Sequence, residues 1–457
     1  MPERRNIILI TFDSLRADHC SFMGYHRETT PTLDKMARKG LYFENAIVSV
    51  PGTTSSIMGV FTGEYAVPDF RGLVAQSWEK EVSKGLTSLA LERKSSWISE
   101  YWRNEIKSKK TLAQALASRG YNTGAFHANP AVSSYFGFNK GFKTFQDFLS
   151  ENGEGVRHKI YTKLFIPVIL KLGIGSIFRG FMDFIKGRGV FMDWENFYDL
   201  VIDWVEKSTQ PFFLWILLMD THAPYKPPRK YRRWSRSWDI YWLNWKLYRG
   251  GFTRPNFTEK EREGIINAYD DAIYYADCFI KNLLKDLNDY DPIFIIHGDH
   301  GDGFCEHGFY GHPQMLYEEL IHVPLIIYNA DVKGKVEKPV SLLGIAPTIL
   351  ELIGMKNEFP SESLLHGGKD WVIVKAYGGK IAVRTKEWKY IVGQKEEEEL
   401  YYLKKDPHEQ VNLIYEYPKL VDEFKKIVDL HIKCESEKRK IHDIARRLRY
   451  QGGTRHG

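Results

Sequence analysis

Between residues 297 and 312 the chain reads His297-Gly298-Asp299-His300-Gly301-Asp302-Gly303, then Glu306-His307-Gly308 and Gly311-His312. Adjacent Asp and His offer one hard oxygen and one imidazole nitrogen, a pair suited to a divalent ion of intermediate hardness. The glycines let backbone and substrate approach closely. A solvated turn is the ordinary explanation of a glycine-rich polar loop, but here the ligand-type residues crowd into sixteen positions. A further carboxylate, Asp13, follows the apolar run Asn6–Phe12. Taken alone, an Asp after a strand is a turn former or helix cap. Between them, Pro51-Gly52-Thr53-Thr54-Ser55-Ser56 opens a short helix that ends at Thr62-Gly63. A hydroxyl at a helix N-terminus sits where unpaired N–H groups and the positive end of the dipole favour an anion, although Thr and Ser also serve there as N-caps.

These groups need a scaffold that brings them together. Short apolar runs recur at Asn6–Phe12, Tyr121–Phe126, Phe212–Leu218, Pro292–Ile296 and Val323–Tyr328, alternating with helical patterns such as Thr111–Arg119 and Lys260–Leu287. Continuous apolar strands between helices predict a mostly parallel sheet covered on both faces, which binds its ligands beyond the carboxyl ends of the strands. Beyond residue 370, the runs Trp371–Tyr377, Ile381–Thr385 and Trp388–Val392 lie close together, with Gly378-Gly379 between the first two, and predict a small antiparallel sheet followed by a helix near 416–434. The expected division is a catalytic α/β unit over 1–365, a small subdomain over 366–434 and a basic tail over 435–457. Two stretches, about 151–190 and 229–255, look inserted, as lids or binding loops often are. The second packs Trp234, Trp238, Trp242 and Trp245 among arginines and lysines. Such a segment either stacks sugar or aryl groups or forms a half-buried helix with a wet basic face.

In chain order, Asp13–Asp18, His26–Asp34, Phe43–Ala46, Thr53–Gly63, Asp220–Pro227, Asp299–His312, Tyr317–Ile326 and Ala346–Leu350 resemble the signatures of the sulfatase family within the alkaline phosphatase superfamily. Glu399–Asp406 is similar to that family's closing motif. The resemblance implies an alkaline-phosphatase-like three-layer α/β sandwich with a small C-terminal antiparallel sheet and helix. It further implies that Asp13, Asp299 and His300 hold one divalent metal ion whose shell the oxygen of Thr53 completes. His222 and His312 then contact the ester oxygens or help the leaving group depart, with Asn129 beside them at the substrate. An imidazole suits such work because it transfers protons near neutral pH.

One departure from the family pattern bears on mechanism. Sulfatases mature a Cys or Ser to formylglycine, but that register falls here on Thr53, with Ser55 in place of the proline and Ile57 in place of the arginine. Ser49-Val50-Pro51 is out of register with the helix. An unmodified Thr resembles instead the phosphotransferases and lipoteichoic acid synthases of the superfamily, in which a hydroxyl is transiently phosphorylated. The expected activity is therefore hydrolysis of a phosphate mono- or diester or of a sulfate ester. The alternatives are a sulfatase in the strict sense, a phosphoglycerol- or phosphoethanolamine-type transferase acting on a glycan or lipid head group, and a binding protein that has lost turnover. Ser14 stands where sulfatases often carry a second carboxylate, which favours Mn, Mg or Zn over a Ca-style oxygen cage.

The composition, 43% hydrophobic and 27% charged, excludes a collagen-like or wholly disordered chain. The net charge of +6 is modest for 457 residues, and no groove-reading motif accompanies the basic stretches, so no nucleic-acid partner is expected. Four separated cysteines suggest neither a zinc ribbon nor a disulfide framework. Met-Pro-Glu-Arg-Arg runs directly into an apolar strand, and Leu164–Phe178, broken by Pro167 and Lys171, is too short to cross a bilayer. These features predict a soluble cytoplasmic enzyme without a transmembrane segment, its basic tail solvated or resting on an anionic membrane surface.

Overall fold

The structure, a computed structural model, describes residues 5–67, 96–148, 192–249, 257–393 and 397–452. Its centre is an eight-stranded sheet in the order Gly334–Val336, Leu41–Phe43, Leu325–Tyr328, Ile293–Gly298, Ile7–Phe12, Phe212–Leu218, Asn122–His127, Thr144–Gln146. Five consecutive strands, from Ile293–Gly298 to Thr144–Gln146, run parallel, and Leu325–Tyr328 is antiparallel to both its neighbours. Alternate residues point to opposite faces. Ile7, Leu9, Phe213, Trp215, Ile293 and Ile295 therefore join one buried cluster, while Ile8, Ile10, Phe12, Leu214, Ile216, Phe294 and Ile296 join the other. Two apolar faces need two helical layers, and this is why the strands read as unbroken apolar runs.

The helix Glu259–Asp286 covers one face and opens with a capping box in which the Thr258 side chain and Glu261 satisfy each other's backbone N–H groups. Opposite it lie Thr53–Thr62 and Ile345–Leu352, whose apolar residues belong to the other cluster. Among the described residues no helix is long and apolar enough to cross a membrane.

A separate antiparallel sheet, Trp371–Lys375, Ile381–Thr385, Trp388–Val392 and Glu398–Tyr402, matches the expected small C-terminal sheet, with Gly378 and Gly379 at φ 82° and 84° in its first turn. Its inward residues Ile373, Val383, Tyr390 and Leu400 meet Val421, Phe424 and Val428, spaced along one helical face. Full burial of such side chains contributes about 1.5–3 kcal/mol each. The helix expected at 416–434 runs instead over Pro418–Gly452, through most of the segment read as a tail. Residues 419–451 contain neither Gly nor Pro and are rich in Lys, Glu, Arg, Ile and Leu, so nothing ends the helix before Gly452-Gly453. The segment 151–190 lies outside the described residues. Of 229–255, the part up to Arg249 is described, and it forms the helix Ser237–Arg249 with Ile240, Leu243 and Leu247 buried and Trp242 exposed.

A charge cluster ties the second sheet to the segment that begins at Glu318. Arg384 Nη2 lies 3.0 Å from Glu318 Oε2, and Lys389 Nζ lies 3.2 Å from Glu318 Oε1 and also against Glu409.

Candidate active site

Register explains how Asp13 and Asp299 come to be neighbours. Phe12 and Gly298 are partners on adjacent parallel strands, so the residue after each leaves the sheet at the same level. The ladder continues as Asp299 N–H donates to Phe12 O at 3.1 Å and Asp13 N–H donates to Leu218 O at 3.0 Å. Both carboxylates are fully buried, and His300 joins them with Nε2 3.7 Å from Asp13 Oδ1 and 3.7 Å from Asp299 Oδ2. Asp13, Asp299 and His300 thus form a compact group able to hold a metal ion.

The chemistry of this donor set fits a divalent cation. Ser14 Oγ and Asn129 Nδ2 donate to the two oxygens of Asp13 at 3.0 and 2.6 Å, and the N–H groups of Ser14 and His300 donate to Asp299 Oδ1 at 3.0 and 2.8 Å. Asp299 Oδ2 is buried with no hydrogen-bond partner. Burial, and then the charge of Asp13, push the Asp299 carboxyl well above the usual carboxylate range, a tension that a cation between the two would reverse. His300 Nδ1 lies 3.0 Å from Gly301 O, and because a carbonyl only accepts, the proton sits on Nδ1 and the lone pair of Nε2 faces the carboxylates.

Backbone strain helps to shape this pocket. Ser14 is a non-glycine residue at φ 62°, and in that conformation its N–H reaches Asp299. Tyr269, on Glu259–Asp286, holds the turn from behind: its hydroxyl donates to Ser14 O at 2.7 Å and accepts from Arg16 N–H at 2.9 Å. Gly301 has no room for a side chain, since a Cβ there would lie 2.0 Å from Glu319 O.

Thr53 is the first residue of its helix. The N-cap is Gly52, at φ 131°, so the Thr53 side chain does not act as the cap that its residue type allows. Its Oγ1 lies 3.2 Å from His300 Nε2, beside the two carboxylates. Gln314 fixes the entry to this helix by donating to Pro51 O at 2.5 Å and accepting at 3.1 Å from Tyr377 N–H, in the first turn of the second sheet.

The three remaining candidates surround this centre. The His312 ring is 4.3 Å from that of His300 and 5.3 Å from that of His222. His222 follows Phe212–Leu218 in a loop tied to the Asp13 turn, where Thr221 Oγ1 donates to Asp13 O at 2.6 Å. Asn129, expected at the substrate, donates one amide N–H to Asp13 Oδ2 at 2.6 Å and takes Ala131 N–H at 2.7 Å on its oxygen, so it buttresses Asp13 beside the site. His297 belongs to the core: burial pushes it down to about 4, and its Nε2 lies 3.0 Å from Thr11 Oγ1. Ser14, Tyr269 and Asp302 escaped the sequence reading as site residues. Ser14 and Asp302 sit inside the quoted motifs, whereas Tyr269 carries no local signal.

The sulfatase family profile matches residues 5–355. The chain is 25% identical to an arylsulfatase of Clostridium perfringens across 93% of both proteins. It is also 25% identical to Arylsulfatase K of Mus musculus, of which the matched region spans about half, 52%. The fold superposes on the phosphonate monoester hydrolase of Agrobacterium radiobacter with a TM-score of 0.65 at 18% identity, over 94% of this chain and 96% of that one. With this profile match over residues 5–355, the chain belongs to the sulfatase family, a family of ester hydrolases.

Proposed function

We propose that this chain cleaves a phosphate mono- or diester, or a sulfate ester, by attack of the Thr53 hydroxyl, with Asp13, Asp299 and His300 holding one divalent cation. The observation that carries the reading is the position of Thr53 Oγ1, at the first residue of a helix and 3.2 Å from His300 Nε2. The mixed oxygen and nitrogen donors favour Mn, Mg or Zn. When bound, the cation lowers the pKa of a hydroxyl beside it and screens the ester's negative charge. Thr53 then loses its proton to water and bonds to phosphorus or sulfur as the bond to the leaving oxygen breaks, while the first N–H groups of Thr53–Thr62 hold the anionic oxygens. His222 and His312 contact the ester. His312, protonated on both ring nitrogens, gives the Nε2 proton to the leaving oxygen and regains it from the water that hydrolyses the Thr53 ester, while the departing Thr53 oxygen takes back a proton from solvent. Thr53 lacks the aldehyde hydrate through which a formylglycine expels sulfate, and this favours phosphorus esters.

The test is a parallel assay of the full chain, loaded with each of these metals, on aryl sulfate, aryl phosphate and aryl phosphodiester. Turnover of a phosphorus ester is expected, together with a phosphoryl group trapped on Thr53 and seen by mass spectrometry, and Thr53→Ala should abolish both. Full turnover by Thr53→Ala overturns the nucleophile, and turnover of the sulfate alone overturns the preference for phosphorus.

A further inference from the structure

His312 is held from one side by a chain of buried groups. Its Nδ1 lies 2.7 Å from Asp302 Oδ1, and since a carboxylate oxygen only accepts, a ring proton sits on Nδ1 and Nε2 is the nitrogen away from Asp302, in a ring 4.3 Å from that of His300. Asp302 is 0% exposed, and its other oxygen accepts from the Tyr225 hydroxyl at 2.5 Å. Tyr225 is 1% exposed, and one side chain fixes its backbone on both sides: Asn244 Oδ1 accepts from Tyr225 N–H at 2.7 Å and Asn244 Nδ2 donates to Tyr225 O at 2.7 Å. Asn244, also 0% exposed, lies on the inner face of Ser237–Arg249.

Charge balance alone does not account for this arrangement. Arg16 reaches the same residue, but its Nη1 donates to the backbone oxygen of Asp302 at 2.9 Å, and its charge goes to Asp18 and Glu306, each at 2.7 Å. The Asp302 carboxylate is left to a phenol and an imidazole, a poor way to bury a charge for stability and a good way to fix the tautomer and direction of a ring.

We propose that Asp302, Tyr225 and Asn244 are positioning residues that present Nε2 of His312 to the leaving group, so that the tryptophan-rich helix acts on catalysis through the protein interior. This rests on the reading above that His312 meets the leaving oxygen. The first test needs neither metal nor substrate: NMR of the full chain labelled with 15N-histidine, at a pH where the ring is neutral, with the His312 signals assigned by their loss in His312→Gln. The parent is expected to show the Nδ1–H tautomer. Asp302→Asn should shift it towards Nε2–H, Tyr225→Phe should shift it partly, and Asn244→Leu should follow Tyr225→Phe.

In the second test the metal-loaded proteins cleave aryl esters graded by leaving-group pKa. Asp302→Asn is expected to lower kcat/KM about ten- to hundredfold on the poorest leaving groups, with a smaller loss on nitrophenol, reproducing in weaker form the slope of His312→Gln. A His312 tautomer unmoved by Asp302→Asn overturns the relay whatever the activity. A tautomer that moves, with no added leaving-group dependence in His312→Gln, overturns the reading of His312 at the leaving oxygen and with it the relay's part in the reaction.

Discussion

Two groups of carboxylates, one beyond the strand ends of the main sheet and one against the second sheet, are stabilised in opposite ways. Glu318 faces Arg384 and Lys389, and Glu409 lies against Lys389, which is itself 0% exposed, so the fold supplies these carboxylates with its own cations. Asp13 and Asp299 are as deeply buried, but among the described residues no lysine or arginine forms an ion pair with either; their partners are N–H groups, a hydroxyl, an amide and His300. A carboxylate pair without a counter-charge is costly in a low-dielectric interior. The chain buries cations beside the other acids, and the neutral surroundings of this pair support the proposal that it takes an ion from solution.

The largest effect is expected from removing the oxygen that has no protein partner. Asp299→Ala should lower turnover by about a thousandfold or more, since a bound cation stabilises a developing charge by several kcal/mol. The upward shift of Tm on adding metal should also vanish. A full metal-induced shift in Asp299→Ala would remove that carboxylate from the ligand set. At the other cluster the balance reverses: Lys389→Met should lower the unfolding free energy by about 3–5 kcal/mol, because breaking a buried ion pair strands its acids. Urea denaturation measures this, and an unchanged midpoint would mean that Lys389 contributes nothing there.

A smaller change probes the strut between the clusters. Gly301 N–H donates to Leu320 O at 3.0 Å, and a Cβ at 301 would strike Glu319 O, so the metal loop rests on the segment whose Glu318 the second sheet holds. Gly301→Ala is expected to cost about 1–3 kcal/mol of stability through overpacking and to weaken metal binding, read by calorimetric titration. Unaltered binding would show that the two clusters are independent.

The two regions were also unequally legible in the sequence. Asp13, Asp299, His300 and Thr53 could be singled out because each sits in a motif of distinctive residue types, and the apolar runs already implied a parallel sheet beneath them, though not its register. The cluster at the second sheet could not be read, since Glu318, Arg384, Lys389 and Glu409 are scattered charges that look solvated until tertiary packing brings them together. Asn129 shows the same limit. The sequence reading put it at the substrate, and only the fold shows that one amide N–H goes to Asp13 and its oxygen takes Ala131 N–H. The long last helix was cut short in the sequence reading because a run of basic residues looks like a solvated tail, although Lys, Arg and Glu are good helix formers.

The smallest expected effect concerns protons. Burial outweighs the neighbouring Lys389 and pushes Glu409 up from its ordinary 4.5 to about 7. Between those values the folded protein binds the proton that the unfolded chain releases, so this group's contribution to stability is present below about pH 4.5 and is lost as pH rises through 7. Glu409→Gln imitates the protonated form at every pH, and its Tm measured from pH 5 to 8 should fall less steeply than that of the parent. Parallel profiles would mean that Lys389 keeps Glu409 ionised throughout. Asp299 is raised by burial too, with the charge of Asp13 added, and a bound cation should cancel that effect while leaving Glu409 unchanged. Saturating metal should therefore leave the Glu409-dependent part of the profile intact, and a profile flattened by metal would assign that slope to Asp13 and Asp299 instead.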